Sequence, residues 1–483
     1  MESLKQKTIS GFLWQLCQKV TSQMMTFVIS VILARLLMPE DYGVVALASM
    51  FITLLYTFCD GGISSSLVQK KDADKLDYDT VFISSFVIGV VLYIILFFTA
   101  PFIASSFDNK QVVSVLRVLG LTMPLGAFGC VQGAYLSKQM AFKKLFLSST
   151  IGSFVSAIVG LGMAYGGFGI WALIGQNLSS LITSSFVLFV ICEWHPSLSF
   201  SWRRFEGLFS YGSKLMTASL LGTFFGQLKG YLIGLKFTPA DLAFNNRGES
   251  LPGIVFNNID NTVNSVLFPA LCQLQSDKET LKRALSRSMQ CTSFFLMPLL
   301  LGLGAISDKL IILIYTEKWA SAIPYMRLVC LMLCFGTMGN MNMQALKALG
   351  KADTILKLEI YKKPVLILIM VVCMFISPFM IAVGQFIYSL YALVWNSFPN
   401  KKYLGYSLME QLKDIAPNFI ISLAMSICVY GIGNLPLNVY FILFIQVFSG
   451  VIIYYILSMF FNNDNLRYGT ELIKNKLLRN YEQ

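Results

Sequence analysis

The chain of 483 residues is 56% hydrophobic and 13% charged, with a formal net charge of +12. A soluble globular protein carries about 45–50% apolar and about 25% charged residues, so these values exclude an ordinary soluble enzyme. They also exclude a disordered chain, which needs low hydrophobicity and high charge. A helix that crosses a bilayer needs roughly 20 mostly apolar residues, so the composition predicts many spanning helices.

Hydrophobic runs predict about 14 transmembrane helices and hence an all-α polytopic membrane protein. Proline marks several predicted helix ends, among them Pro39, Pro239 and Pro399. The first run is long enough to span the bilayer and lacks a signal-peptide cleavage site, so we expect an uncleaved first helix. The predicted helices, numbered 1 to 14, cover residues 11–34, 42–66, 80–104, 113–136, 147–165, 170–192, 208–235, 250–271, 289–314, 322–346, 358–377, 380–397, 415–432 and 436–460.

The lysine and arginine residues fall mostly in every second loop. A cytoplasmic N-terminus places most of the 37 cations on the cytoplasmic side, as the positive-inside rule requires. Both termini are therefore predicted to be cytoplasmic. The tail after residue 460 has helical spacing of its apolar residues, which fits either an amphipathic surface helix or a simple polar tail.

An internal repeat relates predicted helices 1–6 to predicted helices 7–12. At an offset of about 200 residues, Pro39 matches Pro239, Asp41 matches Asp241, Ser10 matches Ser210 and Asp60 matches Asp260; at 210, Arg117 matches Arg327, Gly126 matches Gly336 and Gly129 matches Gly339. Six helices per copy is an even number, so the repeats are parallel, an architecture typical of rocking transporters. The predicted domains are two six-helix bundles (1–203 and 204–400), two additional helices (401–460) and a cytoplasmic tail (461–483).

Polar stripes concentrate on the first two helices of each repeat. Because a charge inside the bilayer is costly, such residues usually face a hydrated cavity or a partner. For Lys19 a cavity is favoured over a buried ion pair, whereas for Lys214 snorkelling to the interface is an equal alternative. The predicted cavity residues are Gln15, Lys19 and Ser22 on helix 1, Lys214 and Lys229 on helix 7, and Asn257 and Asn261 on helix 8; Thr53, Thr57 and Thr223 extend the stripes.

Two carboxylates, Asp60 and Asp260, lie near the cytoplasmic ends of predicted helices 2 and 8. They are candidates for gating, through pairing with Lys19 or Lys214, or for ion coupling. Helix-end solvation is the alternative for both.

The sequence predicts no cofactor, metal or catalytic site. None of the ten cysteines forms a C-x-x-C pair, the single histidine is His195, and no nucleotide-binding or hydrolase motif is present. The basic residues lie in loops between spans, which disfavours nucleic acid as a partner. A membrane polymerase or ligase needs a large outer loop with reactive residues, and the longest predicted outer loop is about 236–249.

Several segments carry a resemblance to a known family. They are SGFLWQLCQKVTSQ, LARLLMPEDYGVVALA and DGGISSSLVQKK in the first half, and FSYGSKLMTASLL and GLKFTPADLAFNNRGESLP in the second. The chain resembles the Wzx-type oligosaccharide flippases of the multidrug/oligosaccharidyl-lipid/polysaccharide exporter superfamily from about residue 3 to residue 460.

The resemblance implies a V-shaped transporter in the bacterial inner membrane. It would flip undecaprenyl-pyrophosphate-linked oligosaccharide units (O-antigen, capsule or exopolysaccharide repeats) to the periplasmic leaflet by alternating access, coupled to H⁺ or Na⁺. Implied partners are membrane lipids and the polysaccharide polymerase machinery. Related flippases carry cations on helices 1, 2, 7 and 8, whereas helices 2 and 8 here carry only Asp60 and Asp260. A multidrug or cation antiporter of the same superfamily is the alternative, which would need an acidic cavity.

Overall fold

A computed structural model describes residues 2–60, 66–67, 70 and 72–461. This part of the chain is helical, with short connections and no strand. The helices are α1 (Glu2–Leu36), α2 (Pro39–Asp60), α3 (Lys75–Ser106), α4 (Gln111–Leu119), α5 (Thr122–Lys138), α6 (Phe142–Tyr165), α7 (Ile170–Ile191), α8 (Trp202–Lys236), α9 (Pro239–Gln273), α10 (Lys278–Ala305), α11 (Ser307–Tyr315), α12 (Ile323–Cys334), α13 (Gly336–Ala348), α14 (Ala352–Met374), α15 (Pro378–Leu404), α16 (Leu408–Ile432) and α17 (Val439–Phe460).

Side-chain caps fix where several helices begin. At the start of α3, the Asp74 carboxylate accepts from the backbone N–H of Asp77, and the Asp77 carboxylate accepts from that of Asp74. Ser407 and Glu410 form the same reciprocal box at the start of α16. Such caps satisfy backbone donors that have no partner within the helix. The Arg204 guanidinium donates to Asp74, which lowers the pKa of that exposed carboxyl.

The predicted fold class is confirmed: the chain is an all-α, multi-pass membrane protein. In the described ranges, ten helical segments are long and apolar enough to cross a bilayer. The other four predicted spans correspond to α1, α8, α9 and α14, which are long helices with many polar residues. Among the described side chains of α1, Thr21–Leu36 forms an apolar stretch.

Some predicted boundaries were wrong. Predicted helices 4, 9 and 10 are each interrupted: α4 and α5 break at Gly120, α10 and α11 at Ile306, and α12 and α13 at Phe335. Hydropathy does not detect such breaks, because the residues that form them are apolar too. The predicted outer loop 236–249 is also wrong, since Phe237 and Thr238 alone separate α8 from α9. The predicted tail helix lies outside the described residues.

The structure repeats the same contacts in both copies. The Asp41 carboxylate accepts from the backbone N–H of Met38 at 3.2 Å, and Asp241 accepts from that of Thr238 at 3.0 Å. These matched aspartates therefore begin α2 and α9 in the same way. Acidic residues in the first turn also interact favourably with the helix dipole.

A matched pair of arginines ties each interrupted helix to the helix before it. The Arg117 Nε donates to the Phe97 carbonyl at 3.3 Å, and the Arg327 Nε donates to the Ser307 hydroxyl at 3.0 Å. Both partners lie 20 residues upstream of their arginine. The repeat inferred from weak sequence matches is thus also present in side-chain geometry.

Two matched glycines lie against aromatic rings. A Cβ atom at Gly126 would lie 2.5 Å from the Cε2 of Tyr56, and one at Gly336 would lie 2.8 Å from the Cε2 of Phe256. Each pair joins the second helix of a repeat to its interrupted fourth helix. A side chain at either glycine would displace the ring.

The chain divides into two compact units, Met1–Ala243 and Phe244–Gln483. In the first unit, Tyr78, Val131 and Trp194 belong to a buried cluster, and α8 packs on α2. In the second, α16 and α17 contact α10 and add Met425 and Leu443 to the core. The predicted domain boundaries at 203, 400 and 460 stay predictions.

We expect Gly336→Ala to lower the free energy of unfolding, because the added methyl group must displace the Phe256 ring. Overpacking of this kind costs about 1–3 kcal/mol. Thermal unfolding of the purified protein in detergent measures the loss, and Phe256→Leu in the same chain should restore part of it. Gly431→Ala is the matched control, since it is a helical glycine with open space around its Cβ position. Equal melting temperatures for both glycine variants would contradict the expectation.

Candidate functional site

Three long helices carry the predicted cavity residues. The helices α1, α8 and α9 have 35 residues each, and at about 1.5 Å per residue each is longer than the roughly 30 Å hydrocarbon core. These helices are long enough to cross a bilayer. They carry too many polar side chains to contact lipid on every side.

The helix α8 carries Lys229 two turns before its end at Lys236. The Lys229 side chain is half-buried. Gly230 follows Lys229 directly, and Gly226 lies three residues before it. The side chain of Lys214, on the same helix, lies outside the described side chains.

On α1, Lys19 is exposed and Ser22 is half-buried. The Ser22 hydroxyl oxygen is itself buried and has no hydrogen-bond partner. The side chains of Gln15 and of Asp60 lie outside the described part of the structure. The cavity role of Lys19 stays a prediction.

The polar stripes of α2 and α8 meet inside the first unit. The hydroxyl oxygens of Thr57 and Thr223 are 3.5 Å apart. Nearby, the rings of Phe51 and Tyr231 contact edge to face at 4.9 Å. Residues predicted separately, on the second helix of one repeat and the first helix of the next, are therefore neighbours.

A carboxylate with amide donors forms a polar centre in the second unit. Asp260 on α9 is 7% exposed. Its Oδ2 accepts hydrogen bonds from the Asn264 Nδ2 and the Asn340 Nδ2, each at 2.8 Å. The Oδ1 atoms of Asp260 and Asn264 are buried without a hydrogen-bond partner. Among the described residues, Asp260 has no ion pair with lysine or arginine within 4.0 Å.

The sequence predicted Asp260 but missed Asn340. The two residues are 80 positions apart, and only the packing of α13 near α9 brings them together. An asparagine inside a mostly apolar span was the available signal. Asn257 and Asn261, the other predicted cavity residues of this helix, are exposed, and their role in a cavity stays a prediction.

Two amide N–H donors are directed at the Asp260 carboxylate in this centre. It leaves two buried oxygen acceptors, the Oδ1 atoms of Asp260 and Asn264. Within the described ranges, no group of three or more His, Cys, Asp or Glu side chains is placed to hold a metal ion.

A separate apolar groove lies in the second unit among α10, α16 and α17. Its volume is about 490 Å³. Phe295, Leu299, Met425, Val451 and Tyr455 are among the side chains that line it. Its lining is mostly apolar, which suits a hydrocarbon chain better than a sugar. The groove could not be predicted from the sequence, because it depends on how three helices pack.

Comparison with known proteins identifies the family. The family model described as polysaccharide biosynthesis protein matches residues 32–324. The succinoglycan biosynthesis transport protein ExoT of Rhizobium meliloti is 28% identical over 321 residues, which is 66% of this chain and 64% of that protein. The lipopolysaccharide biosynthesis protein WzxC of Escherichia coli is 26% identical over 380 residues, which is 74% of each chain.

Solved structures confirm the fold. The lipid II flippase MurJ, in an inward closed conformation, superposes with a TM-score of 0.77 and 16% identity, covering 94% of this chain and 100% of that one. An inward-facing multidrug resistance MATE transporter of the MOP superfamily gives a TM-score of 0.62 and 16% identity, covering 79% of this chain and 95% of that one.

These structural likenesses establish the architecture, whereas the family model establishes descent. Because that model matches more than half of the chain, including α2 to α11, this protein belongs to the polysaccharide biosynthesis protein family.

Proposed function

We propose that this protein is a flippase for undecaprenyl-pyrophosphate-linked oligosaccharide units. It moves O-antigen, capsule or exopolysaccharide repeats from the cytoplasmic to the periplasmic leaflet of the inner membrane, with both of its termini in the cytoplasm. Relatives named for succinoglycan transport and lipopolysaccharide biosynthesis support this substrate class. The observation that carries the proposal is that Lys19 and Lys229 lie within α1 and α8, which are too polar to face lipid on all sides.

The substrate has two parts with opposite solvent preferences, and the protein offers a surface for each. The pyrophosphate is anionic, and Lys19 and Lys229 are point-charge partners for phosphate. The polar side chains of α1, α8 and α9 can exchange hydrogen bonds with sugar hydroxyls. The polyprenyl chain stays in lipid, and the apolar groove of α10, α16 and α17 suits such a chain.

Transport by alternating access requires that the substrate bind the two conformations with different affinity. We propose that Asp260 supplies the coupling to an ion gradient. Its unpartnered Oδ1, together with the Asn264 Oδ1, offers oxygen ligands to Na⁺ or a binding site for H⁺. Binding of either would neutralise a carboxylate that is otherwise costly inside the membrane.

A transporter role is better supported than an enzymatic one. A polymerase or ligase of this class would need an outer loop with reactive groups, and the segment predicted as that loop is helical apart from Phe237 and Thr238. For the multidrug antiporter alternative, the excess of lysine over aspartate on the polar helices disfavours a cationic substrate.

We expect Lys19→Gln and Lys229→Gln each to slow lipid-oligosaccharide transfer by about tenfold or more. A hydrogen bond to a charged group contributes about 1.5–3 kcal/mol. Proteoliposomes that contain a short lipid-pyrophosphate oligosaccharide report transfer through its accessibility to an enzyme added outside. Lys110→Gln is the control, because it removes the same charge from an exposed position between α3 and α4.

Full transfer by both lysine variants would exclude these side chains as pyrophosphate partners. No transfer by folded wild-type protein with several head groups, combined with ion-dependent export of a cationic drug, would favour the antiporter instead.

We expect Asp260→Asn to fold but to lose stimulation of transfer by a H⁺ or Na⁺ gradient. The substitution keeps the shape of the side chain and removes the charge that a cation would bind. Transfer is compared with and without each gradient in the same proteoliposomes. Asp108→Asn is the matched control, since Asp108 is exposed and has φ 48°, a conformation that asparagine tolerates. Unchanged stimulation in Asp260→Asn would refute the coupling role.

A further inference from the structure

A basic cluster surrounds Tyr403 where α13, α14 and α15 end or begin. Lys351 and Lys402 place their Nζ atoms 5.2 Å and 5.7 Å from the centre of the Tyr403 ring. Lys357, one turn into α14, is close enough to act electrostatically on the phenol. The Tyr403 hydroxyl lies 3.4 Å from the Thr354 hydroxyl, which joins α14 to α15 at this point.

These lysines have no carboxylate partner within the described residues. Glu359 on α14 is already paired, with the Nζ of Lys362 at 2.6 Å and with the Nζ of Lys363 at 3.3 Å. Asp353 is the other acid on this part of α14, and its carboxylate oxygens are more than 4.0 Å from the charged nitrogens of these lysines. Lys351, Lys357 and Lys402 are exposed, so their charges are available to an anion.

Both helices expose large apolar side chains farther along from Lys351 and Lys402. Leu356 and Ile360 on α14 are 62% and 59% exposed, and Phe398 on α15 is 62% exposed. From the Thr354–Tyr403 contact, Ile360 is six residues along α14 and Phe398 is five residues back along α15. At about 1.5 Å per residue Ile360 and Phe398 lie at similar depth, roughly 8 Å from the level of Thr354 and Tyr403.

We propose that this surface binds an anionic phospholipid of the membrane. Its phosphate would contact Lys351 and Lys402 and accept from the Tyr403 hydroxyl, and its acyl chains would lie along Leu356, Ile360 and Phe398. The vertical order of unpaired cations above exposed apolar side chains matches the order of groups in such a lipid. Basic clusters between spanning helices bind anionic headgroups in this way. The proposal is independent of what the protein transports.

The test is lipid binding by the purified full-length protein in neutral detergent. Phosphatidylglycerol and phosphatidylcholine with identical acyl chains are titrated, and bound lipids are counted by native mass spectrometry. We expect selective retention of phosphatidylglycerol by the wild-type protein. The double variant Lys351→Gln with Lys402→Gln should bind it about tenfold more weakly, and Lys351→Arg with Lys402→Arg should retain it.

A matched double variant separates a local site from general attraction to positive charge. Lys278→Gln with Lys413→Gln removes the same charge from two other exposed lysines, near the starts of α10 and α16, and should leave retention unchanged. Equal losses in both glutamine variants would overturn the proposal, because diffuse charge would then explain the binding. Equally tight binding of inorganic pyrophosphate would also overturn it, since the apolar surface would then contribute nothing. The melting temperature without lipid verifies that each variant is folded.

Discussion

The cost of placing a polar group in hydrocarbon organises this structure. It forces the backbone into helices, which satisfy their own hydrogen bonds. In the part of the chain that the structure describes, it also separates ten apolar segments from four helices with more polar residues, α1, α8, α9 and α14. These four helices need neighbours or water along their polar faces, so the proposed transport site follows from the same constraint as the fold.

The two repeats share a scaffold but differ in chemistry. Asp41 and Asp241 cap the same helix, and Gly126 and Gly336 accept the same aromatic contact. At the proposed coupling centre the match ends. At the offsets of 200 and 210 residues, the positions of Asn264 and Asn340 correspond to Ser64 and Cys130. Ser64 and Cys130 lack the amide groups that Asn264 and Asn340 direct at Asp260. The two copies therefore share contacts at their helix starts and glycines, whereas the residues at these positions differ in chemistry.

The surfaces proposed for the two parts of the substrate lie on different helices. The proposed pyrophosphate partners are on α1 and α8, the apolar groove is built from α10, α16 and α17, and the basic cluster is at one end of α14 and α15. A substrate with a charged head and a long hydrocarbon chain needs such separation, because no single environment solvates both parts well.

The sequence by itself determined the membrane class, the repeat and the helices that carry polar stripes, because hydropathy and local charge are properties of short segments. The sequence also predicted a role for Asp260, since carboxylates are rare within predicted spans. Tertiary packing alone decided that Asn340 donates to Asp260, that the hydroxyl groups of Thr57 and Thr223 are neighbours, and that Lys351 lies over the Tyr403 ring. These contacts join residues far apart in the chain, and no local pattern encodes which faces of two distant helices will touch.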